Sequence, residues 1–397
     1  MIQTSNTIHR KILNGILHYA HQHGPWEFHM ITGLFGEHGI TRTKEWGCTG
    51  AIAFTDTPAY TDAALKADVP VVFINPPNDM LRDGSPLASH CCVIRDHVAL
   101  GRTGADYFLD RQYTGFAYVG DANNSLWSSE RGTGLATQVE AKGFRCDLYP
   151  ALSPEERDDF AVEGRRLRRW LKRLPKPVAI MAAHDHRARQ VLDTCMDGGI
   201  SVPHEIAVLG VGNDDILCET TTPPLSSIEL DGENTGFDCA RLLDERMHDA
   251  KAAWRPCVLS LSMAHVVTRR STDTFCIADP LVAKAMACIH ERLGMPLTVT
   301  EIARRLNVSR RLLEIKAKKT IGRTVYDEIQ RLKLNRARSL LRNTKLTVSE
   351  IAVDCGFCGP SHLGLWFRKV FQTTPTAFRT SFQHPLSRHA SNLRTPT

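Results

Sequence analysis

The sequence predicts an α/β body with parallel sheets, followed by an all-α domain that carries two helix-turn-helix units. Three observations predict this. From residue 2 to about residue 267, short apolar runs alternate with runs of helical period, as buried parallel strands and their crossover helices do. Near the C-terminus one phrase is written twice, LTVTEIA at 297–303 and LTVSEIA at 346–352. The charge is also divided. From Pro280 onward there are 21 Lys plus Arg against 7 Asp plus Glu, or +14, and the other residues carry 28 against 36, or −8. A basic module on a mildly acidic body suits phosphate binding joined to ligand binding.

In the body, runs 50–55, 69–74, 115–120, 177–181 and 206–211 read as strands, and 8–23, 98–110, 186–197 and 234–248 as helices. Ligands of such sheets sit in a crevice at the carboxyl ends of the strands. Ser5, Asn6, Asp56, Asn75, Asp121, Asp185, Asn213 and Asp214 fall at or just after those ends, and Trp127, Glu130 and Arg131 follow the 115–120 strand. A sugar needs carboxylates and amides to take its hydroxyls in pairs, an Arg donor, and an aromatic face over its ring. Asn6, Trp127, Arg131, Asp185, Asn213 and Asp214 are therefore the candidate ligand residues. Each Asp or Asn also fits a helix N-cap, which βα loops end in anyway.

In the tail, each copy of the repeated phrase is followed by a second amphipathic run, 309–319 and 360–369. Helix, tight turn, helix, repeated once, puts two helices along adjacent major-groove segments about one turn apart. Arg310, Arg311, Glu314 and Ser361 are candidates for base edges, and His362 is a further DNA-binding candidate. Lys318, Lys319, Arg368 and Lys369 are candidates for phosphates.

Other classes find little support. No apolar run approaches bilayer length, and the start, MIQTS, has no basic-then-apolar signal pattern, so the cytoplasm is the expected address. The 12 cysteines are scattered and read as reduced, mostly buried thiols; Cys355 and Cys358 form a lone Cys-x-x-Cys with no second pair at zinc spacing. His184, Asp185 and His186, read on one strand, point to alternate faces, an arrangement that seldom converges on a metal or a catalytic pair. Gly210 and Gly212 lack the third glycine of a dinucleotide fingerprint. The stretch 155–159 reads as a solvated helix start after Pro154. No catalytic residue, metal or cofactor is expected.

The C-terminal part resembles the AraC/XylS family of transcriptional regulators through 346–352, the Gly356-Phe357 turn, 367–369, Thr374-Pro375 and Phe378-Arg379. Residues 331–341 look like the helix that joins that family's two subdomains. The body is similar to the LacI/GalR-type periplasmic-binding fold, a two-lobed arrangement of parallel sheets. Further marks are 15–19 with 24–26, 127–131, 184–189, and the junction 269–273 with Asp279-Pro280. The combination implies a sugar-responsive, sequence-specific DNA-binding regulator of a pentose (xylose-like) catabolic operon. Its implied partners are operator DNA, a sugar effector and a second copy in a homodimer, with RNA polymerase as a further candidate and no membrane. The implied layout is 1–270 for ligand sensing, 271–279 as linker, 280–385 for DNA binding with two helix-turn-helix motifs, and a disordered tail at 386–397.

Four departures from the family pattern stand out. The chain begins at Met1 where relatives have a longer apolar first strand, so either the true start lies upstream or the ligand domain is weakened. Gly212 stands where relatives have a ligand-facing Asp. Ile315 and Ala317 replace an Arg and a core Phe, with Lys316 between them where an apolar residue is usual; Phe to Ala in a small core costs about 3–5 kcal/mol unless neighbours refill the space. The second recognition helix shows Pro360, Ser361, Gly364 and Leu365 outward, with Leu365 where Arg is common. Two competing readings stay open: a carbohydrate sensor whose DNA-binding head has lost operator recognition, and a sugar enzyme, for which no phosphate loop or metal cluster matches.

Overall fold

The structure is a computed structural model that describes residues 7–29, 43, 45–54, 58–76, 80, 84–87, 90–123, 125–153, 156–157, 159–248, 258–261, 264–273, 277, 279–295, 297–344 and 346–383. Asn6, Ser5, Asp56, the Met1 segment and the 386–397 tail lie outside the described residues.

The body runs α1 (Thr7–His23), β1 (Ala51–Phe54), α2 (Pro58–Leu65), β2 (Val71–Ile74), β3 (Cys91–Arg95), α3 (His97–Asp110), β4 (Phe116–Val119), α4 (Leu126–Glu140) and β5 (Cys146–Leu148). It continues α5 (Phe160–Arg173), β6 (Val178–Ala182), α6 (Asp185–Gly198), β7 (Ile206–Gly212), α7 (Asp215–Thr220), β8 (Ser226–Leu230), α8 (Gly232–His248), β9 (Val258–Leu261) and β10 (Ala264–Val267).

Two sheets result, one per lobe. The first has order β1-β2-β3-β9, parallel throughout; the second has order β10-β8-β7-β6-β4-β5, parallel except for the antiparallel edge strand β10. Central strands β4 and β6 are buried along their whole length, as two-sided helix cover requires. Cores of Ile12, Ile16, Val72 and Val93 in the first lobe, and of Val119, Ile180, Val191 and Val208 in the second, lie against these sheets.

Helices α3 and α4 cross at backbone contact through reciprocal glycines. A Cβ at Gly101 would lie 2.0 Å from the Arg131 carbonyl oxygen, and one at Gly134 would lie 2.1 Å from that of Val98. Only residues without Cβ allow this approach, which brings the start of α3 beside Arg131.

The head is helical: α9 (Pro280–Glu291), α10 (Val299–Arg305), α11 (Arg310–Ile321), α12 (Val325–Asn343), α13 (Val348–Asp354), α14 (Pro360–Phe371) and α15 (Pro375–Gln383). Helix α10 starts on the Thr298 side chain and α11 on Ser309; α13 starts on a full capping box of Thr347 and Glu350. Val282, Ile289, Ile302, Leu313, Ala317 and Ile329 form one core, and Leu334, Leu341, Ile351, Leu363 and Phe367 the other. Ala317 is fully buried within the first of these cores. Lys316 reaches Asp279 at the start of α9, 2.7 Å away, which gives its charge a partner at an otherwise apolar position.

Body and head touch where α3 ends. Arg331 of α12 donates to Asp110 at 2.6 Å and pairs with Glu328 at 2.7 Å, while Arg111 donates to the Thr272 carbonyl. Among the described residues no helix is long and apolar enough to cross a membrane. Cys91 is disulfide-bonded, against the expectation of reduced thiols; Cys355 and Cys358 are free thiols.

Candidate ligand cleft and nucleic-acid interface

Neighbouring strands β7, β6 and β4 bring Asn213 and Asp214, Asp185, and Asp121 to one edge of the second sheet. The first lobe faces them with Asn75 after β2 and with the start of α1, and His97 begins α3 where the chain crosses from β3 into the second lobe. The set forms several hydrogen-bonded groups. Asp185, 3% exposed, accepts from the Ser227 hydroxyl at 2.5 Å and the Asp214 N–H at 2.8 Å; burial pushes its carboxyl up despite these bonds. Arg131 is buried, donates to His97 Nδ1 and to the Ala183 carbonyl, and lies 4.6 Å from the Trp127 ring. Burial lowers the Arg131 pKa to about 10. His97 accepts from Arg131 and meets the Asn75 amide oxygen at 3.1 Å; burial, then Arg131 and Arg95, press its pKa down to about 2, so the ring stays neutral. Trp127 sits between His97 and His184, with ring centroids 6.2 and 6.1 Å away.

Asn213 adopts a left-handed backbone, φ 48°, and joins Glu229 and Arg269 through its side chain. Glu229 also takes Lys11 of α1, and the Thr7 hydroxyl donates to Asp214. The two lobes are thus tied across the cleft by side chains that satisfy one another. Burial opposes the charge on Asp121, but hydrogen bonds from His184 and Ser125 outweigh it and hold the carboxyl down at about 2.

The candidates divide on the N-cap question. Asp214 caps α7 through the Leu217 N–H, whereas Asp185 and Asn213 spend their side chains on the cleft network. His184 is not on a strand: β6 ends at Ala182, and His184 caps α6 by accepting from the Arg187 N–H. Among the described residues no His, Cys, Asp and Glu group could hold a metal. His97, Glu229, Lys11 and Arg269 were not singled out as ligand-site residues. His97 follows β3, whose apolar stretch, 91–94, is shorter than the runs that read as strands, and Glu229 sits in SSIEL, which reads as polar. A cavity of about 600 Å³ lies elsewhere, in the first lobe, lined by Leu13, Ile16, Trp26, Ala51, Leu243 and Met247.

In the head, Arg310, Arg311, Lys318 and Lys319 are exposed on α11, and Ser361, Arg368 and Lys369 on α14. His362 is half-buried and accepts from the Trp366 indole at 3.1 Å; Lys369 lies over that ring. Glu314 turns to the start of α12, where its carboxylate accepts from the Val325 N–H at 2.7 Å. That interaction competes with the base-edge role expected for it.

Residues 105–272 match the periplasmic binding protein-like domain, and residues 302–381 the helix-turn-helix domain. Over 342 residues the chain is 28% identical to the xylose operon regulatory protein of Escherichia coli K12, covering 86% of each. It is a homologue of the xylose operon regulators. The protein of that name from Haemophilus influenzae is 29% identical over 289 residues, 72% of this chain and 74% of its own length. The solved structure of a xylose-binding transcription activator superposes with TM-score 0.59 at 25% identity, covering 96% of this chain and 97% of that one. The transcriptional regulator CelR, solved as its cellobiose complex, shares the fold at TM-score 0.54 and 22% identity, over 67% of this chain and 79% of that one. These relatives are transcription regulators rather than enzymes, and the head carries a helix-turn-helix domain.

Proposed function

We propose that this chain is a sugar-responsive, sequence-specific transcription regulator of a pentose catabolic operon, with a xylose-like effector. The observation that carries it is the joining, in one chain, of a polar network that ties the lobes at strand carboxyl ends to two helix-turn-helix units whose second helices each expose Arg and Lys side chains. In this reading residues 1–270 sense the sugar, 271–279 link, and 280–385 bind DNA, as a homodimer in the cytoplasm with RNA polymerase as a further partner. The sugar's hydroxyls take over bonds that Asp185, Arg131, Asn213 and Asp214 now make within the protein, and Trp127 covers the ring. Helix α3 offers the route outward: it starts at His97 in the cleft and ends at Asp110 against Arg331 of the head, a span of about 21 Å at 1.5 Å per residue.

A thermal-shift screen of monosaccharides on the full chain tests the sensing half. A pentose at a hundred times its dissociation constant stabilises by about 2.7 kcal/mol, while no shift with any monosaccharide rejects it. The absence of Arg at Ile315 and Leu365 favours a second reading, a sensor whose head no longer recognises an operator. Near-zero salt dependence of binding to the upstream DNA would support that alternative.

A further inference from the structure

The two recognition helices superpose in sequence at an offset of fifty: buried Leu313 matches buried Leu363, and buried Ala317 matches buried Phe367. Ile315 then matches Leu365. Both lie two residues beyond the buried leucine, which on a helix is about 200° around the axis, the side opposite the core. Both are wide open, Ile315 at 57% and Leu365 at 68% exposure. Both are centred in a polar and cationic face, between Arg311, Lys318 and Lys319 on α11 and between Ser361, Arg368 and Lys369 on α14.

Single exposed aliphatics are ordinary on protein surfaces. The repetition is not. Among the described residues of the head, Val353 is 70% exposed but its counterpart is Arg304; exposed Val370 matches Thr320, and exposed Leu312 matches His362. Only the Ile315 and Leu365 pair is large, aliphatic and exposed in both units. The face that surrounds each is of the charge that DNA phosphates attract, and in the major groove the apolar group within reach is the C5-methyl of thymine.

We infer that Ile315 and Leu365 are specificity-determining residues that read thymine methyl groups in two successive major-groove segments. This rests on the DNA-binding reading above. Guanine recognition by a bidentate Arg is replaced at both positions by shape and apolar contact, so the operator carries a thymine cluster in each half, about 10 base pairs apart.

The test uses the full chain and a random duplex pool to select a bound consensus. Each consensus thymine is then replaced by uracil, which removes one methyl and leaves pairing intact, and binding is followed by fluorescence anisotropy. Removing a contacted methyl lowers affinity about fourfold. Two sensitive clusters are expected; Ile315→Ala abolishes the sensitivity of one and Leu365→Ala that of the other, with unchanged thermal melts. A defined consensus that binds equally well with uracil at every position overturns the inference while leaving DNA binding intact. Failure to bind any duplex overturns the DNA-binding reading and the inference with it.

Discussion

Gly134→Ala is expected to loosen both the fold and the cleft. The added Cβ would stand 2.1 Å from the Val98 carbonyl oxygen and 2.9 Å from the Val98 Cα, where ordinary contact begins at 3.4 Å. The shortfall of about 1.3 Å is against backbone, so no side-chain rotation relieves it and α3 must move off α4. That separation opens the packing of buried Leu100, Phe108, Leu135 and Val139. Overpacking of this kind costs typically about 1–3 kcal/mol, against a gain of about 1 kcal/mol for alanine over glycine inside a helix. Because rigid backbone sets the clash, a net loss of about 1–2 kcal/mol follows, or roughly 2–8 °C in melting temperature for a domain of this size. Gly164→Ala on α5 is the control, because nothing lies within 4 Å of its Cβ position. It gains the helix preference without the clash. Thermal unfolding followed by tryptophan emission reads both, since Trp127 is on α4 itself. Arg131 and Trp127 ride on the displaced helix, so sugar affinity should fall as well. A Gly134→Ala protein that melts at or above the wild-type temperature, while Gly164→Ala behaves as expected, would refute the crossing argument.

Further outcomes follow from the same contacts. His97 stays neutral in the folded protein down to about pH 2, whereas the unfolded chain takes up a proton below about pH 6.5. The unfolded state thus binds more protons in acid, and stability is lost as pH falls below 6.5, by at most about 1.4 kcal/mol per pH unit for this group. Melts from pH 7 to 5 should show the decline, and His97→Gln should make it shallower, with His290 and His90, also lowered by burial, supplying the rest; an equal slope in both proteins would reject the assignment. Arg331→Met removes the pair to Asp110 and should shrink the sugar's effect on DNA affinity while each ligand still binds; undiminished linkage in paired titrations would exclude this route. Arg311→Ala should weaken DNA binding with sequence dependence, and Lys369→Ala on all sequences with a salt slope lower by about 1; gel shifts showing the reverse would exchange the two roles.

The sequence was most readable where one element's pattern is self-contained. Uniform apolar runs announced β4, β6 and β7, and the repeated phrase announced both helix-turn-helix units. It was least readable where polar residues are buried by partners far along the chain. Ser226 and Ser227 are fully buried on β8, yet their hydroxyls are satisfied by Arg269 and Asp185, so a strand looks like a loop. Asp110 and Arg331 are 221 positions apart, and nothing in either local pattern pairs them. Glu314 has the spacing of a base reader, but the first free amide of α12 lies within its reach. Asp185 and Asn213 are legible from their place after strands alone, whereas the Glu229 side chain that meets Asn213, and the Lys11 that pairs with it, depend on how the lobes close.

The most direct single measurement is an anisotropy titration of the full chain onto its own upstream duplex at fixed salt, with and without the pentose found by thermal shift. If cleft and head are coupled, the sugar changes the dissociation constant by at least about fivefold, and the duplex changes sugar affinity by the same factor. Identical dissociation constants with and without a saturating sugar would contradict a sugar-controlled DNA-binding protein.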